Sequence, residues 1–385
     1  MRTITSVSDL RERARRRVPR MMFDYADRGS YDEITLRRNR EDLAAIEFRQ
    51  RVMVDLSRRE LATTLAGEAA MLPVAIAPTG LAGMFWPDGE IVAARAARDF
   101  GVPYTLSTLS ICSIEDVRAA VGGPFWFQLY LMKDRGFSAD LIARAQAAGC
   151  TTLMLTLDLQ VQGLRRRDPR NGLSIPPRVT WRNVLDVARR PGWVAGVLLG
   201  RRRTFGNLAG RVGRPEGLGS LAQWIAAQMD PSMNWSDLDW VRAQWPGRLI
   251  VKGVLDADDA LRAVRHGADA VVVSNHGGRQ LDGAASTISV LPEIVDAAGD
   301  RAEILFDGGV MCGQDVLKAL ALGARGCLIG KAHLYGLAAA GGPGVTRVLE
   351  LIRDELSVSM ALTGCCEISA VDRGVIRRVP WSRSP

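Results

Sequence analysis

The sequence predicts an α/β fold: a (β/α)8 TIM barrel with an N-terminal helical segment and a long basic insert after the fourth strand. Three observations predict it. Eight short apolar or β-branched runs follow one another along the chain, helical patterns separate most of them, and polar or glycine residues close each run. Eight strand and helix units form a parallel sheet that can close on itself. A doubly wound open sheet is the rival, but when it binds a dinucleotide it normally carries a GxGxxG turn after its first strand, and none is present.

In order, the strands are predicted at LPVAIAPTG (72–80), VPYTLST (102–108), FWFQLY (125–130), TLMLTLD (152–158), LIVKG (249–253), AVVVSN (270–275), EILFDGG (303–309) and GCLIGK (326–331). GEIVAARAARDFG, SADLIARAQAAG, DADDALRAVRHG and CGQDVLKALALG read as helices between them. The 385 residues are expected to form one barrel domain over 1–385, with the insert at 161–245.

Composition narrows the classes. A hydrophobic content of 47% with 24% charge excludes a disordered or fibrous chain. No stretch approaches 18 uncharged apolar residues, and the N-terminal MRTITSVSDLRERARRRVPR lacks a signal-peptide core, so a cytoplasmic location is expected. The six cysteines form no CxxC pair and read as reduced structural thiols. Three histidines with no HxH or HxxxH spacing argue against a metal site.

The net charge of +8 is concentrated: thirteen arginines against Asp168 and Asp186 lie between Val161 and Arg214. Within this stretch RRPGWVAGVLLGRRR (189–203) is too short to cross a bilayer. It is expected to lie on an anionic membrane surface, with Trp193 at the interface and arginines on head groups. The alternative is a helix that covers the barrel with a solvated basic face. Nucleic acid is not expected as a partner, because no aromatic stacking platform accompanies the arginines.

The carboxyl ends of the eight strands carry Thr79, Ser107, Gln128 and Tyr130, Asp158, Lys252, His276 and Arg279, and Asp307 to Gly309. In a barrel these ends ring one mouth, where the active site of the fold sits. The loops after strands seven and eight, DGGVMCGQD and IGKAH, are placed to bind phosphate through backbone N–H groups, with Lys331 adding charge. His276 with a carboxylate partner is a general base. Arg279 beside it suits a substrate carboxylate, which a guanidinium grips with two hydrogen bonds. Lys252 can stabilise negative charge, form a Schiff base or make an internal ion pair. From the residues alone, this is a barrel enzyme that uses a phosphorylated cofactor on a carboxylated substrate.

SNHGGRQLDG, with IAPTG, LST, FQLY, LTLD and RRRD, VKG, DGG and ALALGA, closely resembles the FMN-dependent 2-hydroxy acid dehydrogenases and oxidases, from about Ser6 to Ile368. The resemblance implies FMN as cofactor. It makes His276 the base, with Asp158 as its partner, and Arg279, Arg165, Tyr25 and Tyr130 the carboxylate clamp. By the same resemblance, Lys252 is expected to face the reduced flavin, Ala77, Pro78, Thr79, Ser107, Gln128 and Thr156 to hold the isoalloxazine, and Ser274, Asp307, Gly308, Gly309, Gly330 and Lys331 to hold the ribityl chain and phosphate. Departure of a hydride and prior formation of a carbanion both need His276 and the arginines. Two positions depart from the family pattern, Met311 and Lys331, where arginine is usual, and looser FMN binding is expected.

PTGLAGMFWPDGE, RRRDPRNGLSIPP and MDPSMNWSDLDWVRAQWP resemble the (S)-mandelate dehydrogenase branch, while YTLSTLSICSIEDV and FWFQLYLMKDRGF resemble bacterial L-lactate dehydrogenase. The implied reaction is oxidation of an (S)-2-hydroxy acid to the 2-oxo acid, with electrons passed to a membrane quinone or another acceptor. Leu109 and Gln162 are expected to face the substrate side chain, and the reading leans to an aromatic or broad substrate. The alternatives are an oxidase that uses oxygen and a flavin-poor barrel with a non-catalytic membrane role. A homo-tetramer, peripheral on the inner face of the cell membrane, is implied.

Overall fold

The computed structural model describes residues 3–173, 180–208 and 227–381. All eight predicted strands are present: β1 (Val74–Ile76), β2 (Thr105–Ser107), β3 (Trp126–Leu129), β4 (Thr152–Thr156), β5 (Arg248–Val254), β6 (Ala270–Val273), β7 (Glu303–Phe306) and β8 (Gly326–Ile329). Every neighbouring pair from β2 to β8 is parallel and in sequence order, and β8 pairs with β1. The ring closes where Ile76 pairs with Tyr104 and its N–H donates to Pro103 O at 2.8 Å. The chain is therefore a (β/α)8 barrel.

Alternation along the strands separates two cores. Ala75, Trp126, Met154, Ile250, Ala270, Val272, Leu305 and Leu328 fill the barrel interior. Val74, Phe127, Leu153, Leu155, Val251, Val271, Val273 and Phe306 face the surrounding helices. A hairpin of Thr63–Leu65 and Glu68–Ala70 plugs the amino-terminal end. Leu65, Ala66 and Ala70 enter the interior, and the indole N–H of Trp126 donates to Glu68 Oε1 at 2.8 Å. With that end sealed, the interior opens only toward the carboxyl ends of the strands.

Three helices precede the barrel: α1 (Val7–Arg17), α2 (Arg20–Asp27) and α3 (Ile34–Ala45). The longer ones that follow among the described residues are α4 (Gly89–Phe100), α5 (Ile114–Val121), α6 (Arg135–Ala147), α7 (Trp181–Ala188), α8 (Trp235–Gln244), α9 (Ala257–Arg265), α10 (Thr287–Ala298), α11 (Gly313–Ala321), α12 (Lys331–Ala340) and α13 (Gly342–Leu362). The α1, α5 and α8 starts are capped by Ser6, Ser113 and Asn234 with an aspartate three residues on, each pair satisfying two backbone N–H groups.

The insert after β4 carries α7, a turn at Pro191–Trp193 that widens over Val194–Leu198, and α8. Residues 174–179 and 209–226 of the predicted insert, with Arg178, Arg211 and Arg214, lie outside the described residues. Trp193 is not at an exposed interface: it is 5% exposed, and its indole N–H donates to Met84 O at 2.7 Å. Near it, Trp181, Val184 and Leu185 on α7, with Leu198 and Leu199, are exposed apolar side chains. Arg182, Arg189, Arg201 and Arg203 are exposed among them, whereas Arg202 is held by Asp88 and Asp116.

Candidate active site

The inward register that places Ala75 and Met154 in the core also aims the next residues of each strand into the mouth. Ala77 and Thr79 continue β1, Tyr130 continues β3, and Thr156 ends β4. Lys252 lies on β5, while His276 follows β6, Asp307 and Gly309 follow β7, and Gly330 follows β8. A single cavity is lined by these residues together with Pro78, Ser107, Tyr25, Arg165, Arg279, Gly308 and Lys331. Of the sequence-predicted site residues, Asp158, Gln128 and Ser274 stand behind this wall and act on those that form it. Asp158 meets His276, Gln128 Oε1 accepts from Ser107 Oγ at 3.0 Å, and Ser274 Oγ accepts from Lys252 Nζ at 2.7 Å.

His276 Nδ1 lies 3.0 Å from Asp158 Oδ1. An ionised carboxylate can only accept, so Nδ1 carries the hydrogen and Nε2 keeps its lone pair for a substrate proton. Burial holds the imidazole below its ordinary pKa, with Lys252 and Arg165 acting in the same direction and Asp158 opposing them. Burial pushes the Asp158 carboxyl up, but His276 and Lys252 outweigh it and the group stays below its ordinary value. The pair is therefore an ionised aspartate beside a neutral imidazole at neutral pH. His276 has φ of 58°, a left-handed conformation that costs a non-glycine residue about 1–3 kcal/mol and often marks a functional site. Its N–H donates to Ser274 Oγ at 3.1 Å, which helps hold that geometry.

The glycines after His276 answer a packing need. Gly278 has φ of 74°, and a Cβ there would lie 2.6 Å from the Leu36 backbone on α3. This close approach lets the loop after β6 dock on the N-terminal helices. Asn275 and Asn39 exchange two buried amide hydrogen bonds of 2.8 and 2.9 Å, and Asp282 accepts from the N–H groups of Asp32 and Thr35 at 3.0 and 2.9 Å. Asn275 and Asp282 thus tie the loop down so that His276 and Arg279 hold their places.

Tyr25 lies against both arginines, with the Arg279 guanidinium 4.7 Å and that of Arg165 5.9 Å from its ring centre. Arg279 donates to Tyr25 O and to Arg28 O. Burial, reinforced by Arg165, pulls its pKa down to about 10, so it remains charged at neutral pH. Two half-buried cations in repulsion form a receptor for an anion, and the Nε of Arg165 has no protein partner among the described residues. A carboxylate has the charge and the geometry that this pair lacks.

Lys252 is 4% exposed, with Nζ 2.8 Å from Asp307 Oδ2. Gln128 Nε2 and Thr156 Oγ1 are buried without protein partners among the described residues. His333 Nδ1 donates to Ile329 O at 2.9 Å, so its Nε2 accepts, and the Thr79 hydroxyl 3.2 Å away must be the donor. Burial holds His333 neutral, with its pKa pulled down to about 4. The Thr79 oxygen therefore presents lone pairs to the cavity. Lys331 donates to Asp27 O at 3.1 Å, and burial, aided by Arg279, lowers its pKa to about 7.

Residues 14–378 match the family model described as FMN-dependent dehydrogenase. The chain belongs to the FMN-dependent dehydrogenase family. Among curated relatives it is 52% identical over 379 residues to an L-lactate dehydrogenase of Caulobacter vibrioides, covering 98% of this chain and 99% of that one. It is 48% identical over 369 residues to an L-lactate dehydrogenase of Pseudomonas aeruginosa, covering 96% and 97%. Among solved structures it is similar to the monotopic membrane protein (S)-mandelate dehydrogenase, with TM-score 0.93, 39% identity and coverage of 98% and 100%. A mandelate oxidase crystallised with (S)-4-hydroxymandelic acid matches with TM-score 0.84, 40% identity and coverage of 97% and 98%.

The dehydrogenase is an FMN-dependent oxidoreductase, and its site fits that cofactor. The free Gln128 Nε2 and Thr156 hydroxyl, the lone pairs of Thr79 and the buried Lys252 ammonium suit the polar edge of a flavin. Gly308 and Gly309, with φ of 109° and 95°, and Gly330 border the same cavity at its other predicted end. Sequence reasoning missed Asn39, His333, Asp168 and Arg40. Burial raises the Asp168 carboxyl, while Arg165 and Arg279 draw it down, so it belongs to the charge balance of the clamp. For Arg40 a signal existed: Leu36, Arg40 and Leu43 share one face of α3 at helical spacing.

Proposed function

We propose that this dehydrogenase oxidises L-lactate, and more slowly larger (S)-2-hydroxy acids, to 2-oxo acids and passes the electrons to a membrane quinone. The observation that carries the hydroxy acid assignment is the convergence of a neutral base, His276 on Asp158, with the paired cations Arg279 and Arg165 in one cavity. The arginines hold the substrate carboxylate, with the Tyr25 and Tyr130 hydroxyls beside them. His276 Nε2 takes the hydroxyl proton, and Asp158 stabilises the imidazolium that results. FMN, when bound, supplies the two-electron acceptor for the substrate carbon. Lys252 places positive charge beside the flavin position.

The named L-lactate dehydrogenases at 52% and 48% identity support lactate above the aromatic substrate toward which the motifs lean. Leu81, Leu109, Phe205 and Met229 give the cavity an apolar wall suited to a methyl side chain. The exposed Trp181, Val184, Leu185, Leu198 and Leu199 among arginines support seating on an anionic membrane surface, and no described helix is long and apolar enough to cross a membrane. Val52, Met53 and Val54, beside the end of α13 and 75%, 100% and 41% exposed, form an apolar surface that supports self-association, with a tetramer proposed as the assembly. Steady-state oxidation of L-lactate and (S)-mandelate, each with a short-chain quinone and with oxygen, tests the assignment. The larger kcat/KM is expected for L-lactate with quinone; preference for mandelate or for oxygen would overturn the corresponding part.

A further inference from the structure

At the phosphate end of the cavity Met311 and Lys331 stand where the family pattern has arginine. Met311 supplies no cation, and the ammonium of Lys331 is directed at Asp27 O. A different cation stands there. Arg40, on α3, lines the cavity beside Gly308, Gly309 and Met311, and its Nη1 donates to Gly309 O and to Asp315 Oδ2. Its side chain is 42% exposed, while that of Asp315 is 4% exposed. Nε and Nη2 of Arg40 donate to no protein atom among the described residues.

We propose that Arg40 is a binding residue for the FMN phosphate and takes over the part left vacant at Met311. Asp315 fixes its orientation: one carboxylate oxygen takes the Arg40 Nη1 and the N–H groups of Met311 and Cys312, at 2.8 and 3.2 Å for the two backbone donors. The guanidinium is thereby pinned to the loop after β7 and is held from a helix outside the barrel units. Its two remaining nitrogens match the fork geometry with which arginine binds phosphate. The N-terminal segment, and not only the barrel, then decides whether FMN is retained.

Riboflavin separates this role from a structural one, because it has the same ring and ribityl chain and no phosphate. The full-length chain, freed of flavin, is titrated with FMN and with riboflavin while flavin fluorescence is followed. Arg40→Leu is expected to weaken FMN at least about tenfold, equivalent to ~1.4 kcal/mol, and riboflavin less than about twofold. Adding Met311→Arg to it is expected to restore FMN affinity. Since Leu leaves the buried Asp315 without its cation, Arg40→Gln, which keeps a donor for Asp315, gives the same reading if Arg40→Leu does not fold. Equal weakening of both flavins, or FMN affinity unchanged in Arg40→Gln, would overturn the proposal and leave Arg40 as a structural partner of Asp315.

Discussion

Replacing Asp158 by asparagine tests the base most sharply, because it removes a charge and almost no volume. Asp158 Oδ1 lies 3.0 Å from His276 Nδ1. With charge centres about 4 Å apart and an effective dielectric near 20, a carboxylate attracts an imidazolium by about 4 kcal/mol. The asparagine carbonyl still accepts from Nδ1–H, and a neutral hydrogen bond retains roughly 1 kcal/mol of that. About 3 kcal/mol of support for protonated His276 is lost. At about 1.4 kcal/mol per tenfold, transfer of the hydroxyl proton slows by roughly 100-fold. The assay is anaerobic stopped-flow mixing of FMN-loaded Asp158→Asn with L-lactate, following loss of visible flavin absorbance at saturating substrate, with flavin content measured first. A rate within about threefold of the parent, at equal flavin content, would refute the pairing of Asp158 with the base.

Other consequences follow from the same geometry. Because burial holds His276 below its ordinary pKa, the acid limb of the kcat/KM profile is expected below pH 6.5, where the base becomes protonated, and Asp158→Asn should move it lower still. A limb above 6.5 in the parent would contradict the burial argument. Lys331, with its pKa lowered to about 7, must be protonated to attract phosphate, so FMN affinity is expected to fall as pH rises from 7 to 8.5. Lys331→Arg should flatten that fall, and a titration at three pH values checks it. Trp181→Glu with Leu199→Glu should release the protein from vesicles containing anionic lipid without changing flavin reduction by lactate; cosedimentation reads the outcome.

The barrel was legible because each strand repeats one pattern, an apolar run that ends in polar groups, and strand alternation carries that pattern directly into the site. Thr79, Lys252 and His276 are readable this way, since each continues an inward-facing register, whereas Thr156 enters only through the family resemblance. Residues that act from outside the strands left weaker marks. Arg40 sits in ITLRRNREDLAA among four other charged residues, and only its spacing from Leu36 and Leu43 sets it apart. His333 looked like an ordinary helix residue, because its role depends on a carbonyl from the end of β8 and a hydroxyl from the end of β1. Trp193 misled for a physical reason: an indole between apolar residues and arginines suits a membrane interface or a protein core equally well, and the carbonyl of Met84 decides for the core. The reciprocal Asn39 and Asn275 amides join residues 236 positions apart, which local pattern cannot reveal.

The central claim is that His276, Asp158 and the two arginines form a hydroxy acid oxidation site on a flavin barrel. The most direct measurement is a single anaerobic turnover: FMN-loaded protein mixed with L-lactate, beside the same mixture made with His276→Ala. Rapid bleaching of the parent flavin, with stoichiometric 2-oxo acid and almost no bleaching in the variant, is the predicted result. Equal bleaching in both, or none in a parent that holds FMN when L-lactate and (S)-mandelate are each supplied, would contradict it.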